Sequence, residues 1–156
     1  MTDKFKICTC LGFNGNGEEA AEFYVSLLPD SYIENRVKPD PNGPAIVIEF
    51  KLAGAPFMIL NAGPPFEHSM AASLSVLTKD QTETDELWST LTADGGQESQ
   101  CGWLTDKFGV SWQITPERMT QLFASDDKAG AQRAREAMFK MKKIDIKALE
   151  AAFDGK

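Results

Sequence analysis

The stretch QCGWLTDKFGVSWQIT, residues 100–115, indicates two short strands joined by a tight turn. Successive side chains of a strand point to opposite faces of a sheet. Over the last six residues, one face carries the apolar side chains of Val110, Trp112 and Ile114. The other face carries two hydroxyls and an amide, those of Ser111, Thr115 and Gln113. This alternation fits either a solvent-exposed face or the wall of a polar-lined cavity. Which of the two holds decides what the protein can bind.

The rest of the chain extends this stretch into a repeated order of one strand, one helix and three strands. The first copy ends at Asn61, and the second follows the loop AGPPFEHSM and ends at Thr115. A repeat on this scale is the signature of a duplicated structural unit. We therefore predict an α+β fold of two βαβββ modules forming curved mixed sheets around a pocket, plus C-terminal helices. The boundaries are a single domain over 1–156, modules over 4–61 and 70–115, and a helical extension over 116–156.

Four polar residues stand immediately before amphipathic stretches with helical spacing of the apolar side chains. Asn, Thr and Asp side chains accept hydrogen bonds from the first backbone N–H groups of a helix. We therefore predict helix caps at Asn16, Thr82, Asp126 and Asp145.

Composition and charge exclude several classes of partner. The 156 residues are 42% hydrophobic and 10% aromatic, enough for a packed core, and carry a formal net charge of −7. An acidic chain does not suit a nucleic acid or an anionic membrane as partner, because binding to phosphate needs a basic surface. No apolar run approaches the roughly 18 residues of a membrane span, and the start MTDKFKICTC lacks the apolar segment of a signal peptide. Three cysteines without framework spacing suit a reducing compartment, so we predict a cytoplasmic protein.

Cys8 and Cys10 form a C-x-C pair whose spacing puts both side chains on one face of the first strand. The pair suggests either a metal or redox site or two buried small hydrophobic residues. Cys101 and His68 are the only other cysteine and histidine of the chain, so a structural zinc site is poorly supported. We favour buried hydrophobic cysteines.

Several segments resemble a known family. The stretches FNGNGEEAAEFYVSLLPDS, PFMILNAGPPF, QCGWLTDKFGVSWQITP and AQRAREAMFKMKKIDIKALEAAF are similar to the PhnB-like branch of the vicinal oxygen chelate superfamily, which includes glyoxalases and extradiol dioxygenases. That branch is often labelled 3-demethylubiquinone-9 3-methyltransferase. The resemblance implies that the concave faces of the two sheets enclose a pocket, that helices cover the convex faces, and that the protein is a homodimer.

The resemblance also implies where a metal ion would bind, namely at Thr9, Ser73 and Gln113, with Met58 or Leu60 nearest to a fourth ligand. Hydroxyls and a neutral amide are weak ligands for a transition metal. We therefore predict no cofactor and no metal ligands, although a divalent metal stays an alternative. The ligand-binding residues that we predict for the pocket are Thr9, Ser73, Ser75, Gln113, Asn61 and Trp103. The alternative for Asn61 is that it caps the loop, and the alternative for Trp103 is that it lies in the core.

Two further residues are candidates for acid–base chemistry. Glu49 is a candidate general base in the pocket, and its alternative is an edge-strand glutamate paired with Lys51 or Arg36. His68, beside Glu67 in the loop between the modules, is either a proton shuttle or an exposed loop residue.

These observations predict a protein that binds a small organic ligand in a polar-lined pocket without a catalytic metal. The alternatives are a metal-dependent lyase, isomerase or dioxygenase of the glyoxalase type, and a drug-sequestering resistance protein. Methyl transfer is not predicted. The turn GFNGNG lacks the G-x-G-x-x-G spacing of a Rossmann-type site, and the βαβββ order gives no parallel crossover sheet.

Overall fold

The computed structural model of the protein describes residues 5–156. They fall into two compact units, one ending at Glu67 and the other running from His68 to Lys156. Each unit contains one four-stranded mixed sheet. Each is described by itself below.

The first unit has the element order β-α-β-β-β. Its elements are β1 (Thr9–Gly12), α1 (Gly17–Val25), β2 (Tyr32–Val37), β3 (Val47–Leu52) and β4 (Ala55–Leu60). The sheet order is β1-β4-β3-β2, with β1 parallel to β4 and the other pairs antiparallel. The chain turns from β3 into β4 at Ala53 and Gly54, which both have positive φ angles.

Helix α1 packs on one face of this sheet. Ile48, Phe50 and Ile59 on that face are fully buried, together with Tyr24 of the helix. Gly17 lies so close to the sheet that a Cβ atom there would be 2.7 Å from Ile59 Cγ2. The glycine at the start of α1 therefore permits the close approach of helix and sheet.

The second unit repeats this order. Its elements are β5 (Ser73–Thr78), α2 (Gln81–Thr92), a 3₁₀ turn (Ala93–Gly95), β6 (Gln97–Glu98), β7 (Trp103–Thr105) and β8 (Ser111–Pro116). The sheet order is β5-β8-β7-β6, and β5 is parallel to β8. The two sheets thus share one topology, which confirms the predicted pair of βαβββ modules in an α+β fold.

Helix α2 lies on the face of the second sheet that carries Leu104, Trp112 and Ile114, all buried. The Oγ1 atoms of Thr84 on the helix and Thr78 on this face are hydrogen-bonded at 2.6 Å. The apolar face of the residues 110–115 alternation is therefore the face that packs against the helix, as the sequence predicts.

Three helices follow the second sheet: α3 (Glu117–Phe123), α4 (Lys128–Met138) and α5 (Ile146–Asp154). They pack around a cluster of Met119, Leu122, Ile144 and Leu149. None of the helices between residues 5 and 156 combines the length and the apolar character needed to cross a bilayer.

The predicted N-cap positions are correct at Asn16 and Asp145 and displaced at the other two helices. Asp145 accepts a hydrogen bond from the Ala148 N–H, as predicted. The side chain of Asn16 makes no capping bond. The other two caps come from aspartates next to the predicted residues: Asp80 rather than Thr82 for α2, and Asp127 rather than Asp126 for α4.

Candidate functional site

The side of the second sheet that faces away from α2 is polar. We call it the polar face. Along β5, β7 and β8 it carries Ser73, Ser75, Leu77, Trp103, Thr105, Ser111, Gln113 and Thr115. Ser111 is buried, Ser75 and Leu77 are exposed, and the other five side chains are half-buried. The structure therefore brings together the four residues predicted for a ligand site in this module: Ser73, Ser75, Trp103 and Gln113.

Gln113 is the centre of the polar face. Its Cα partners across the two neighbouring strands are Ser75 of β5 and Trp103 of β7. Its amide Nε2 donates a hydrogen bond of 2.8 Å to the hydroxyl oxygen of Ser73. An amide also carries a second N–H and a carbonyl oxygen, and a serine hydroxyl carries its own proton. The face thus presents neutral donors and acceptors side by side, flanked by an indole ring.

Asp106 holds the turn that places β7 and β8 side by side, and the sequence did not single it out. Its Oδ1 accepts hydrogen bonds from the N–H groups of Phe108 and Val110, and its Oδ2 accepts one of 2.9 Å from the Trp112 indole. The carboxylate is 3% exposed, so these three donors compensate for its burial. The signal in the sequence that could have identified Asp106 was its position in DKFG, a turn sequence near a tryptophan.

Thr9 does not lie on the face that was predicted for it. Its Cα partner in β4 is Phe57, and Leu11 is opposite Ile59, so Thr9 is on the side of the first sheet where α1 packs. The other side, which we call the open face, carries Cys10, Asn35, Glu49 and Met58 as one row of register partners. Thr9 and Glu49 therefore point to opposite sides of the sheet. The prediction assigned β1 the wrong face because register is set by pairing with β4, which the sequence does not reveal.

Glu49 is exposed on the open face, in a central strand and not in an edge strand. Its Oε2 accepts a hydrogen bond of 3.0 Å from the Asn35 amide. Neither predicted alternative partner contacts it: Arg36 pairs with Glu18 and Glu22, and the Lys51 ammonium lies 3.5 Å from the centre of the Phe5 ring. Its catalytic role stays a prediction.

Asn61 has the loop-capping role that was its alternative. Its Oδ1 accepts hydrogen bonds of 2.9 Å from the N–H groups of Gly15 and Gly17, and its Nδ2 donates one of 3.0 Å to the Ala45 carbonyl. The side chain is 7% exposed. Asn61 thus caps α1 in place of Asn16, and its amide is engaged with the backbone rather than offered to a ligand.

The exposure of the cysteines and of the histidine differs in part from the predictions. Cys8 and Cys10 are exposed, which contradicts the prediction of buried hydrophobic residues. Cys10 lies in β1, an edge strand of the first sheet, and Cys8 directly precedes that strand. Cys101, in the bend before β7, is half-buried, and so is His68.

The donor atoms near the candidate site do not fit the metal ion that the fold class implies. The polar face offers hydroxyls and an amide, whereas zinc and similar ions take imidazole, thiolate and carboxylate ligands. Within residues 5–156, no three His, Cys, Asp or Glu side chains are close enough together to hold an ion. The polar face therefore offers hydrogen-bonding groups rather than the usual ligands of a transition metal.

Two βαβββ modules with these sheet orders define the class: the fold is that of the vicinal oxygen chelate superfamily. A family model described as 3-demethylubiquinone-9 3-methyltransferase matches residues 5–115. A solved structure of a PhnB protein from Bacillus cereus, which carries the same methyltransferase description, is 36% identical, with a TM-score of 0.61 over 72% of this chain and 99% of that one. The chain therefore belongs to the 3-demethylubiquinone-9 3-methyltransferase family and is PhnB-like.

More distant solved structures share the fold alone. Protein PA1353 from Pseudomonas aeruginosa is 22% identical, with a TM-score of 0.61 over 73% of this chain and 98% of that one. The fosfomycin resistance protein FosX from Listeria monocytogenes is 12% identical, with a TM-score of 0.54 over 78% of this chain and 97% of that one. Among curated proteins, none matches the sequence.

Proposed function

We propose that the protein binds a small organic ligand on the polar face of its second module and that it does so without a catalytic metal. The observation that carries this proposal is the Gln113–Ser73 hydrogen bond of 2.8 Å, with Ser75 and Trp103 on either side of Gln113. Small-molecule sites combine apolar and aromatic side chains with a few precisely placed polar groups, and the polar face contains groups of both kinds.

The chemistry of these residues limits the ligand. Ser73, Ser75 and Gln113 carry no charge, so the site offers no ion pair for a strongly charged group. Hydroxyl, carbonyl and amide groups match the donors and acceptors present. The Trp103 ring adds an apolar surface for a carbon skeleton or a ring. We therefore expect an uncharged, partly apolar ligand with one or two oxygen-containing groups.

A metal-dependent reaction is the main rival. A FosX variant from Listeria monocytogenes has been crystallised with Mn(II) and 1S,2S-dihydroxypropylphosphonic acid. That protein has the same fold, but its similarity to this chain extends to the fold only. The hydroxyls and the amide of the polar face are poor ligands for such an ion, and this favours direct hydrogen bonding to the ligand.

Methyl transfer is not part of the proposal, although it appears in the family's description. A Rossmann-type nucleotide site needs a strand, a glycine-rich turn, a helix and an adjacent parallel strand. Here α1 leads from β1 to β2, but β2 lies at the far edge of the sheet and β1 pairs with β4. The sheet order weighs against a site of that type.

We also propose a cytoplasmic homodimer. Support for the dimer comes from the exposed apolar side chains of the first sheet, among them Tyr32, Val37 and Leu60. Free thiols at Cys8 and Cys10 suit a reducing compartment. Sedimentation velocity over a range of concentrations tests the dimer, and a monomer at every concentration would refute it.

A thermal-shift screen with small uncharged organic compounds tests the binding proposal. Compounds that bind the folded state raise its stability, by about 2.7 kcal/mol at a hundredfold excess over Kd. We expect compounds that stabilise the wild type to lose this effect in Gln113→Leu. Gln132→Leu is the matched control, because Gln132 is exposed on α4. Equal stabilisation of wild type and Gln113→Leu by every active compound would refute the proposal.

A further inference from the structure

Three sulfur-bearing residues lie in or directly before the neighbouring strands β1 and β4, and the proposed ligand site uses none of them. Cys8 immediately precedes β1, Cys10 lies within it, and both thiols are free and exposed. Met58 of β4 is the Cα partner of Cys10 in the parallel β1–β4 pair. Register partners point to the same side of a sheet, so Cys10 and Met58 share the open face.

The spacing allows the three sulfur atoms to converge. Residues two apart in an extended chain have Cα atoms about 6.6 Å apart, and neighbouring strands are about 4.8 Å apart. Cys8 precedes Cys10 by two residues, so in an extended chain the Cα atoms of Cys8, Cys10 and Met58 form a small triangle.

We propose that Cys8, Cys10 and Met58 form a binding site for one soft monovalent cation of the Cu(I) type. Thiolate and thioether ligands select Cu(I) over harder ions, and two thiolates supply the negative charge that the cation needs. Binding displaces the two thiol protons to solvent, with no change of oxidation state at sulfur or metal. The ion enters as Cu(I), so the step needs no oxidant or reductant.

The surroundings of the triangle favour this ion over a harder one. The nearest carboxylate along the row is Glu49, the Cα partner of Met58, and its Oε2 accepts a hydrogen bond from Asn35. In the described part of the chain, no group of three His, Cys, Asp or Glu residues includes the two thiols. A thioether is a poor ligand for zinc but a good one for Cu(I).

The test is a titration of the reduced protein with Cu(I) under anaerobic conditions, in competition with the chromophoric chelator bicinchoninate. We expect the wild type to take up one Cu(I) per chain. Cys8→Ser and Cys10→Ser lose this binding, and Met58→Leu weakens it roughly tenfold or more, which is about 1.4 kcal/mol. Cys101→Ser is the matched control and retains the affinity of the wild type.

Circular dichroism of each variant separates loss of the site from loss of the fold, and Met58→Leu keeps the test informative if a cysteine variant misfolds. Unchanged binding in the double variant Cys8→Ser/Cys10→Ser, equal affinity of Met58→Leu and wild type, or no Cu(I) uptake by the wild type would overturn the proposal. Gln113→Leu should bind Cu(I) like the wild type. The proposal of a metal site and the proposal of a small-molecule site can therefore be refuted independently of each other.

Discussion

Gln113 and Ser73 are joined by a hydrogen bond of 2.8 Å, although they are not opposite each other in the sheet. Ser75 is the Cα partner of Gln113, and Ser111 is the partner of Ser73. The amide therefore reaches diagonally across the parallel β5–β8 pair, and the Ser73 hydroxyl fixes its direction. A polar group held in one orientation before a ligand arrives loses less entropy on binding, so this pair is suited to recognition.

Trp103 provides a direct view of the polar face in solution. The chain has three tryptophans, of which Trp88 and Trp112 are 4% and 0% exposed, whereas Trp103 is half-buried. We expect Trp103→Phe to remove most of the fluorescence that iodide can quench, because only an accessible indole meets the quencher. Trp88→Phe should leave the quenchable fraction in place. Equal quenching of wild type and Trp103→Phe would show that Trp103 is covered.

Asn61 should matter for stability rather than for ligand binding. Asn61→Ala removes three hydrogen bonds and leaves the buried Gly17 N–H without its acceptor. We expect a loss of about 2–4 kcal/mol in the free energy of unfolding, measured with urea, because unsatisfied buried groups carry the full cost of desolvation. The control Asn42→Ala, in an exposed loop, should change stability by less than about 0.5 kcal/mol. Similar stabilities of the two variants would contradict the capping role.

Asn61 also shows why the sequence predicts the fold better than the site. The strand, helix and turn patterns are local, and they gave both βαβββ modules. The side chain that caps α1 belongs to a residue 44 positions after Gly17, and no local sequence rule detects a partner so far away. Thr9 illustrates the same limit, since a shift by one residue reverses the face of every side chain in a strand. In β8 the strict alternation fixed the faces, so Gln113 was assigned to the correct face of the sheet, away from α2.

Asp106 and Trp112 should be coupled in stability. Asp106→Ala leaves the Trp112 indole N–H and two backbone N–H groups without their acceptor. We expect a loss of about 2–4 kcal/mol for this variant. In a double-mutant cycle with Trp112→Phe, the interaction free energy should be about 0.5–3 kcal/mol. Additive effects of the two substitutions would contradict the contact.

Lys143 should control the titration of Asp85. A hydrogen bond from Lys143, and after it one from Gln81, lowers the pKa of the Asp85 carboxyl. When the pKa of a carboxyl is lower in the folded state, the carboxyl stabilises the fold at every pH above its ordinary pKa. This stabilisation is lost as the pH falls through the lowered pKa. Both side chains are partly exposed, so the contribution is at most about 1 kcal/mol.

The variant Lys143→Gln should therefore raise the Asp85 pKa towards its ordinary value, as followed by NMR of the carboxyl carbon. Lys147→Gln is the control, because Lys147 is exposed on α5. An Asp85 pKa that is the same in wild type and Lys143→Gln would disprove the pairing.

Native mass spectrometry of the purified protein tests the central claim most directly, by comparing wild type and Gln113→Leu after purification with and without EDTA. If neutral groups of the polar face hold an organic ligand, the wild type carries the same small-molecule mass with or without EDTA, and Gln113→Leu lacks it. A bound mass that disappears with EDTA, or that Gln113→Leu retains in full, would contradict the account.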